Sequence, residues 1–196
     1  MKKAVISPPA LLCFSAILCL TGCLDVEEQR VHCDIDLGLS ADVRIEFIGV
    51  HSDEKSPEAQ KKEVGKLYGT NHLDMAQELA LMYGLEGHTV TFTNKTDLRC
   101  DATLAGKSDS VLRVLTPLTQ GAEFEFVRNS NIFSARIIVP EKKPEDKQKV
   151  TLLISYEGRI VTNNAAVYDK EKRLMTWQVD KLTKSGIRFV LSLRNE

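Results

Sequence analysis

The sequence lacks the short motifs of the common enzyme classes. It has no Gly-x-Ser-x-Gly turn for a nucleophilic serine, and Gly65-Lys66 lacks the earlier glycine and the following hydroxyl of a phosphate-binding loop. Its four histidines stand apart, without the i, i+4 spacing of a helical zinc site. We therefore predict that the protein is not an enzyme, and we nominate no catalytic residue, no metal ligand and no cofactor.

Positive charge is not in excess either. The chain carries 26 Lys and Arg against 27 Asp and Glu, a formal net charge of −1. Proteins that bind nucleic acids neutralise phosphates with clustered Lys and Arg, so we expect no nucleic-acid partner. At 196 residues the chain is long enough to enclose a core of its own.

One apolar run near the N-terminus is a candidate membrane-targeting segment. It covers residues 10–20, follows two lysines and ends in small residues before a cysteine. The run is shorter than the ~20 residues of a spanning helix, and the whole pattern resembles the signal peptide of bacterial lipoproteins. A short membrane anchor and an ordinary secretory leader are the alternatives. The residues that carry the resemblance are Lys2, Lys3, Leu20, Thr21, Gly22 and Cys23.

This resemblance implies where the protein works. Signal peptidase would recognise Leu20, Thr21 and Gly22, and the cut would leave Cys23 as a lipid-modified N-terminus. Residues 1–22 would be lost, residues 23–30 would form a short polar tether, and the membrane would be a partner through the lipid anchor. Because Leu24 rather than Asp follows the cysteine, the resemblance implies the outer membrane, facing the periplasm, in a Gram-negative host. In any other host it implies the outer face of the plasma membrane.

The remaining cysteines allow a disulfide. Two of the five lie in the leader and Cys23 would take the lipid, which leaves Cys33 and Cys100 as an even pair in an exported protein. The alternation of apolar residues places both on the apolar faces of their strands. We predict that they form a bridge, which the chain-entropy model values at roughly 4 kcal/mol. Two separate buried thiols are the alternative.

Alternating apolar residues predict a chain made mostly of strands. Residues 31–39 and 43–47 predict two strands with a turn at residues 40–42, and a single bent strand is the alternative. Further apolar or alternating runs lie at residues 89–93, 98–104, 111–115, 123–127, 132–139, 150–155, 165–168, 173–179 and 186–193.

Between the first strands and the rest, the pattern changes to that of helices. Ser56-Pro57-Glu58 combines an N-cap, a proline at the first helical position and an acid in the first turn, which predicts a mostly polar helix to about residue 68. Asn71 opens a second helix, with apolar residues every three or four positions and Gly84 as its stop. The pattern leaves open whether these are two helices or one kinked helix.

Together these patterns predict an α+β fold. We expect a mostly antiparallel, curved β-sheet with one or two covering helices inserted after the first hairpin. Residues 140–149 carry two prolines and charges of both signs, and we interpret them as a long loop within a single domain at residues 31–196. A separate domain beyond that loop would hold fewer than the ~50 residues that domains usually need.

The C-terminal part resembles the LppM-type bacterial lipoproteins. The likeness lies in residues 150–164 and 174–179, where Glu157-Gly158 takes the place of a Pro-Gly turn, Asn163-Asn164 stands at the Asn position and Thr176-Trp177 matches a Thr-Trp pair. It extends to residues 31–34 and to the layout of hairpin, helix and sheet. The resemblance implies a compact α+β domain at the cell envelope with a capacity to bind lipids or glycolipids.

Two functions follow as hypotheses. The first is a non-catalytic binding module that holds a lipid or other amphipathic ligand between the Asn71 to Tyr83 helix and the sheet. The alternative is an accessory lipoprotein whose exposed helix at residues 57–68 docks a protein complex of the envelope. Aromatic residues such as Phe124, Phe126, Phe133 and Trp177 are more often core than ligand contacts.

Overall fold

Strands form most of the protein. The computed structural model describes residues 24–67, 71–115, 123–138, 148–182 and 186–194. Within these residues it contains eleven strands, three α-helices and one short 3₁₀ turn. The strands are β1 (Leu24–Ile35), β2 (Ala41–Ser52), β3 (Leu85–Thr93), β4 (Arg99–Ser108), β5 (Glu123–Arg128), β6 (Ile132–Ile138), β7 (Lys149–Tyr156), β8 (Ile160–Asn163), β9 (Val167–Asp169), β10 (Leu174–Gln178) and β11 (Ile187–Ser192). The helices are α1 (Pro57–Lys66), α2 (Asn71–Tyr83) and α3 (Val111–Leu115), and the 3₁₀ turn is Val179–Lys181.

The first hairpin is longer than the sequence pattern predicted. β1 and β2 are paired antiparallel over twelve residues each, from Leu24 opposite Ser52 to Ile35 opposite Ala41. The residues that we interpreted as a polar tether, from Leu24 to Arg30, therefore lie in β1. The connecting turn lies at residues 36–40, where Asp36 accepts a hydrogen bond from the backbone N–H of Ser40 at 2.9 Å. The predicted turn at residues 40–42 was placed too late.

The hairpin forms the centre of a seven-stranded sheet, in the order β3-β4-β2-β1-β7-β10-β9. Adjacent strands in this sheet are antiparallel, with one exception. β1 and β7 are parallel, from Glu28 opposite Lys149 to Ile35 opposite Tyr156. A second sheet has the order β5-β6-β11-β8. The prediction of an α+β fold rich in antiparallel strands is confirmed, but the strands form two sheets and one of the sheets is mixed.

Helices follow the hairpin, as predicted, at Pro57–Lys66 and Asn71–Tyr83, and residues 68–70 between them lie outside the described residues. Ser56 caps α1, since its hydroxyl accepts a hydrogen bond from the backbone N–H of Ala59 at 3.2 Å. The run at residues 111–115, which we grouped with the strands, forms α3 instead. Its buried residues Val111, Val114 and Leu115 are spaced by three and four positions, so one side of a helical turn faces the core. None of the described helices is long and apolar enough to cross a membrane.

A single row of apolar side chains, all buried except the partly buried Val90 at its end, crosses the large sheet on one face. Each member lies opposite the next on the neighbouring strand, through six strands from β10 to β3. The row consists of Trp177, Leu152, Val31, Ile45, Leu104 and Val90. On the β10 side the second sheet covers this face, where Trp177 contacts Phe189 of β11. On the β2 side α2 and α3 cover the same face, and their apolar side chains join the same core. Leu24, the first residue of β1, belongs to this core.

Candidate functional site

The residues of the predicted lipidation signal lie just before the described part of the chain. Leu20, Thr21, Gly22 and Cys23 fall outside the described residues, and the first described residue, Leu24, already belongs to β1 and is buried. Leu24 lies opposite Ser52 at the end of the hairpin. We call this end of the large sheet, with Leu24, the end of β2 and the β3–β4 turn at residues 94–98, the anchor-proximal end.

The hairpin changes its pattern of burial near this end. In β1 the buried side chains are at even-numbered residues, Leu24 and Val26, and then at odd-numbered residues from Gln29 onward. In β2 the buried side chains change from odd-numbered to even-numbered residues around Gly49. The pairing of the two strands keeps one register across the change, whereas β2 and β4 shift register between Phe47 and Val50. Both hairpin strands thus carry one extra residue at the same level, a bulge that keeps the apolar side chains on one face.

Gly49 makes this bulge sterically allowed. Its φ of +69° is unfavourable for other residues, and a Cβ there would come within 2.7 Å of Glu27 Oε2 and 2.8 Å of Arg99 Nη2. Those two side chains form a paired contact across the glycine, with Arg99 donating from both terminal nitrogens to the Glu27 carboxylate at 3.1 and 3.0 Å. The close approach of this ion pair therefore depends on the missing side chain at position 49.

Asp101 fixes the same bulge from β4. Its carboxylate accepts hydrogen bonds from the backbone N–H of Gly49 at 2.8 Å and from the side-chain amide of Asn94 at 2.5 Å. Burial alone would raise the pKa of Asp101, but these two hydrogen bonds and the charge of Arg99 outweigh it and hold the pKa below its ordinary value. No local sequence pattern indicates this contact, because Gly49 and Asp101 are far apart in the chain.

The β3–β4 turn is held by its own side chains. Thr96 Oγ1 accepts a hydrogen bond from the backbone N–H of Arg99 at 3.0 Å and donates to the carbonyl of the same residue at 3.1 Å, and Asn94 adopts a φ of +50°. Asn94-Lys95-Thr96, which has the form of a glycosylation sequon, thus forms the turn. Lys61 of α1 contacts Asp97 at 2.7 Å, while Leu98 keeps 43% of its surface exposed. We had placed Leu98 on an inward-facing strand position, and the structure places it in the turn.

The space between α2 and the sheet contains a buried polar contact. Gln29 is fully buried, and its side-chain nitrogen donates a hydrogen bond to the Tyr83 hydroxyl at 3.1 Å. Gln29 Oε1 has no hydrogen-bond partner among the described residues. Burial raises the pKa of the Tyr83 phenol well above its ordinary value, and the hydrogen bond from Gln29 acts in the opposite direction. On the same helix Ala76, Leu79 and Ala80 are buried, and Leu79, Ala80 and Tyr83 belong to the continuous core.

The predicted disulfide is wrong for this structure. No bridge joins Cys33 and Cys100 in the described part of the chain, and both side chains are buried. Cys33 lies opposite Val43 on one side of β2, and Cys100 lies opposite Val50 on the other side. Seven residues along a strand span about 20 Å, far beyond the ~7 Å between Cα atoms that a disulfide allows. Both cysteines do face the apolar side, as predicted, and burial, followed by the nearby Asp34 charge, raises the pKa of the Cys33 thiol.

Asn164 and Trp177, two residues of the C-terminal motifs, contact each other. The Trp177 indole N–H donates to Asn164 Oδ1 at 3.1 Å, and the same oxygen accepts from the backbone N–H of Arg188 in β11 at 2.7 Å. Asn164 also donates to the Gly186 carbonyl at 2.8 Å. Trp177 is fully buried, which confirms its assignment to the core. These motif residues therefore join the two sheets.

The opposite end of the molecule carries exposed apolar side chains. Phe126, Val127 and Ile132 lie on β5 and β6 beside the turn at Asn129, and Val127 is 60% exposed. Three contacts show that this patch is far from Leu24. Ile132 lies opposite Ser192, and the Ser192 carbonyl accepts a hydrogen bond from the Tyr156 hydroxyl. Tyr156 in turn lies opposite Ile35, at the other end of β1 from Leu24. We call these three side chains the distal apolar patch. Phe133 is core, as expected, whereas Phe126 is partly exposed.

The histidines are dispersed in the structure too. His32 lies beside Glu46 and Arg44 on the outer face of the sheet, and His51 contacts the Gly49 carbonyl at 2.8 Å. In the described ranges no three His, Cys, Asp or Glu residues are arranged to hold a metal ion.

Comparison with known proteins gives weak likenesses. No protein-family model matches the chain, and no curated protein matches it. Among solved structures it is similar to the NMR structure of the folded domain of LppM from Mycobacterium tuberculosis, with 14% identity and a TM-score of 0.46 over 89% of this chain and 91% of that one. It is also similar to an M1 zinc metallopeptidase from Deinococcus radiodurans, with 6% identity and a TM-score of 0.33 over 86% of this chain and 42% of that one. Both TM-scores lie below 0.5, so neither likeness decides the fold or the function.

Proposed function

We propose that this chain is a lipid-anchored lipoprotein of the cell envelope that acts by binding rather than by catalysis. The observation that carries the proposal is the position of Leu24, which follows the lipidation signal directly and is already buried in β1. A lipid on Cys23 would therefore be attached to a folded strand without a spacer. Two or three acyl chains, at ~0.8 kcal/mol for each buried CH₂, hold a protein at a membrane far more firmly than one.

A matched pair of substitutions tests the anchor. Cys23→Ser removes the acceptor sulfur, so we expect unprocessed precursor and loss of the lipid mass. Cys19→Ser, four positions earlier in the same leader, should be processed and lipidated normally. Intact-mass spectrometry and membrane fractionation after a high-salt wash provide the measurements. A Cys23→Ser protein that kept the lipid mass would disprove the assignment. Fractionation of a Gram-negative host would also test the proposed outer-membrane location.

The bound ligand that we propose first is a lipid or another amphipathic molecule between α2 and the sheet. The support is Gln29, a fully buried amide whose Oε1 has no partner among the described residues. A buried acceptor of this kind is costly unless a donor reaches it, and a ligand hydroxyl would supply one. Native mass spectrometry of protein extracted from its own membrane should show an adduct that Gln29→Leu loses. A clean apoprotein mass together with no uptake of a dansyl lipid would exclude this ligand.

The second candidate function is docking of an envelope protein. The observation that favours it is the distal apolar patch, which includes Phe126 and Val127 on β5, at the edge of the smaller sheet. The sequence pattern favours docking through the exposed helix at residues 57–68 instead. In the structure α1 has a single buried residue, Val64, so most of this helix is accessible to a partner. Photo-crosslinkers at Val127 and at Lys62 therefore distinguish the two surfaces. A partner recovered from Val127 alone supports the distal patch, a partner from Lys62 alone supports α1, and no partner from either position rejects docking.

A further inference from the structure

The anchor-proximal end contains a surface suited to a lipid bilayer. The argument rests on the proposed lipid at Cys23. Adjacent Cα atoms are 3.8 Å apart, so a modified residue before Leu24 would hold the start of β1 next to the lipid headgroups. With Leu24 buried and paired to Ser52, no flexible segment separates the anchor from the sheet. The end of the sheet that contains Leu24 must therefore face the bilayer.

The β3–β4 turn lies at this same end. Asp25 is opposite His51, and His51 is opposite Arg99, the residue that follows the turn. Two strand spacings, about 10 Å, thus separate the backbone of the turn from that of β1. Residues 94–98 precede Arg99 and connect it to β3, so they extend from the sheet on the side where β1 begins.

The chemistry of the turn suits the headgroup region. Leu98 is an exposed apolar side chain on a backbone that Thr96 holds in place. Two of the basic side chains around it are in ion pairs, because Lys61 contacts Asp97 at 2.7 Å and Arg99 contacts Glu27, and Lys95 lies over the Phe92 ring at 5.6 Å from its centroid. Pairing lowers the cost of bringing charged side chains against lipid, while an apolar side chain gains by leaving water.

We propose that the β3–β4 turn contacts the membrane surface, with Leu98 entering the lipid headgroup region beside the anchored strand. The partner is the phospholipid bilayer that carries the anchor. This contact restricts the orientation of the domain, because a lipid at one point leaves rotation free, whereas a second contact about 10 Å away leaves only rotation about the line that joins the two points. The distal apolar patch then points away from the membrane and toward the periplasm or the exterior.

The test compares two exposed apolar positions at opposite ends. Leu98→Cys and Val127→Cys each introduce one accessible thiol, whereas Cys33 and Cys100 are fully buried. Each lipidated protein is labelled with an environment-sensitive NBD fluorophore and reconstituted in vesicles of phosphatidylethanolamine and phosphatidylglycerol. We expect severalfold stronger quenching by headgroup-level nitroxide lipids, and a blue-shifted emission, at position 98. The unsubstituted protein, treated in the same way, measures background labelling.

Intact mass separates the two levels of the argument. Lipidated protein with equal quenching at both positions, or with stronger quenching at 127, would overturn the orientation and leave the lipoprotein assignment intact. Protein without a lipid mass would overturn both, since the orientation depends on the anchor. Lipidated protein with quenching confined to position 98 would support both.

Discussion

The two halves of the large sheet bury the same face under different covers. On the side of β3, β4 and β2 the cover is α2 and α3, where Ala76 and Ala80 of α2 are buried and Tyr83 of the same helix accepts a hydrogen bond from the buried Gln29. On the side of β7 and β10 the cover is the smaller sheet. There Trp177 lies 6.0 Å from Phe189, centroid to centroid, and Phe189 lies 6.2 Å from Phe133.

The two halves of the sheet differ in the interactions that stabilise them. Large aromatic side chains stabilise mainly through the apolar area that they bury, so the half under the smaller sheet should be sensitive to truncation. The half under the helices has an apolar core as well, and it adds polar contacts, of Gln29 with Tyr83 in the interior and of Gly49 with Asp101 and Glu27 with Arg99 at the bulge. Removing one partner of a buried polar contact is costly, whereas replacing both can be nearly neutral. The halves should therefore respond to different substitutions.

Trp177→Ala is expected to have the largest effect. It removes a fully buried side chain from the junction of the sheets and the hydrogen bond to Asn164, and such truncations cost about 3–5 kcal/mol. Urea unfolding followed by circular dichroism measures the loss. Val167→Ala on β9, at an exposed position, should change stability little. A loss at Trp177 no larger than the loss at Val167 would contradict the aromatic junction.

Tyr83→Phe tests the helical cover. It leaves the Gln29 side-chain nitrogen buried without its acceptor, which costs about 1–3 kcal/mol. Adding Gln29→Leu removes the stranded amide and should recover most of the loss. A double-mutant cycle on the unfolding free energy gives the coupling of the pair. If the two losses simply add, the polar contact does not hold this half.

Parts of this fold could be predicted from the sequence, because they depend on neighbours in the chain. Ser56 and Pro57 place the start of α1, and Asn71 places the start of α2. Alternation predicts the first part of β2, at residues 43–47, and the strand that contains Thr89 and Thr91. The beginning of β1 could not be recognised, because the buried positions change from even to odd after Val26. Its charged residues then resemble a tether.

Other features depend on contacts between distant residues. The parallel pairing of β1 with β7 and the separation of Cys33 from Cys100 follow from strand order, which alternation does not encode. At the candidate site, Asn94-Lys95-Thr96 did carry a turn signal, since Asn tolerates positive φ. The contact of Asp101 with Gly49 had no local signal. For α3, five residues are too few for a helical period to be told from a strand.

Gly49→Ala tests the bulge in the hairpin. An alanine at its φ of +69° costs about 1–2 kcal/mol. The new Cβ also displaces the Glu27–Arg99 pair, an exposed contact that contributes at most about 1 kcal/mol. Gly87→Ala is the matched control, because its φ is +58° and no atom lies within 4 Å of the added Cβ. An equal loss of unfolding free energy at both sites would show that the ion pair contributes nothing.

Acid sensitivity should originate in part from Asp101. Its pKa is lowered in the folded protein, so the unfolded chain binds a proton first and the contribution of Asp101 is complete above about pH 4. The contribution is lost as pH falls through the folded pKa. Asp101→Asn should flatten the fall of unfolding free energy below about pH 4. An unchanged slope in Asp101→Asn would mean that another acid controls this range.

The smallest expected effect is that of a reducing agent. Cys33 lies on β1, between the two halves, and Cys100 lies on β4, in the half under the helices, so a bridge would have reinforced that half by roughly 4 kcal/mol. Their positions on opposite sides of β2, about 20 Å apart along the strand, exclude that bridge. Unfolding curves of the purified protein with and without dithiothreitol should therefore superimpose. Thiol labelling should be slow in the native protein, because both side chains are buried, and should reach both cysteines under denaturing, non-reducing conditions. A stability that falls on reduction would mean that the strands of this half are arranged differently.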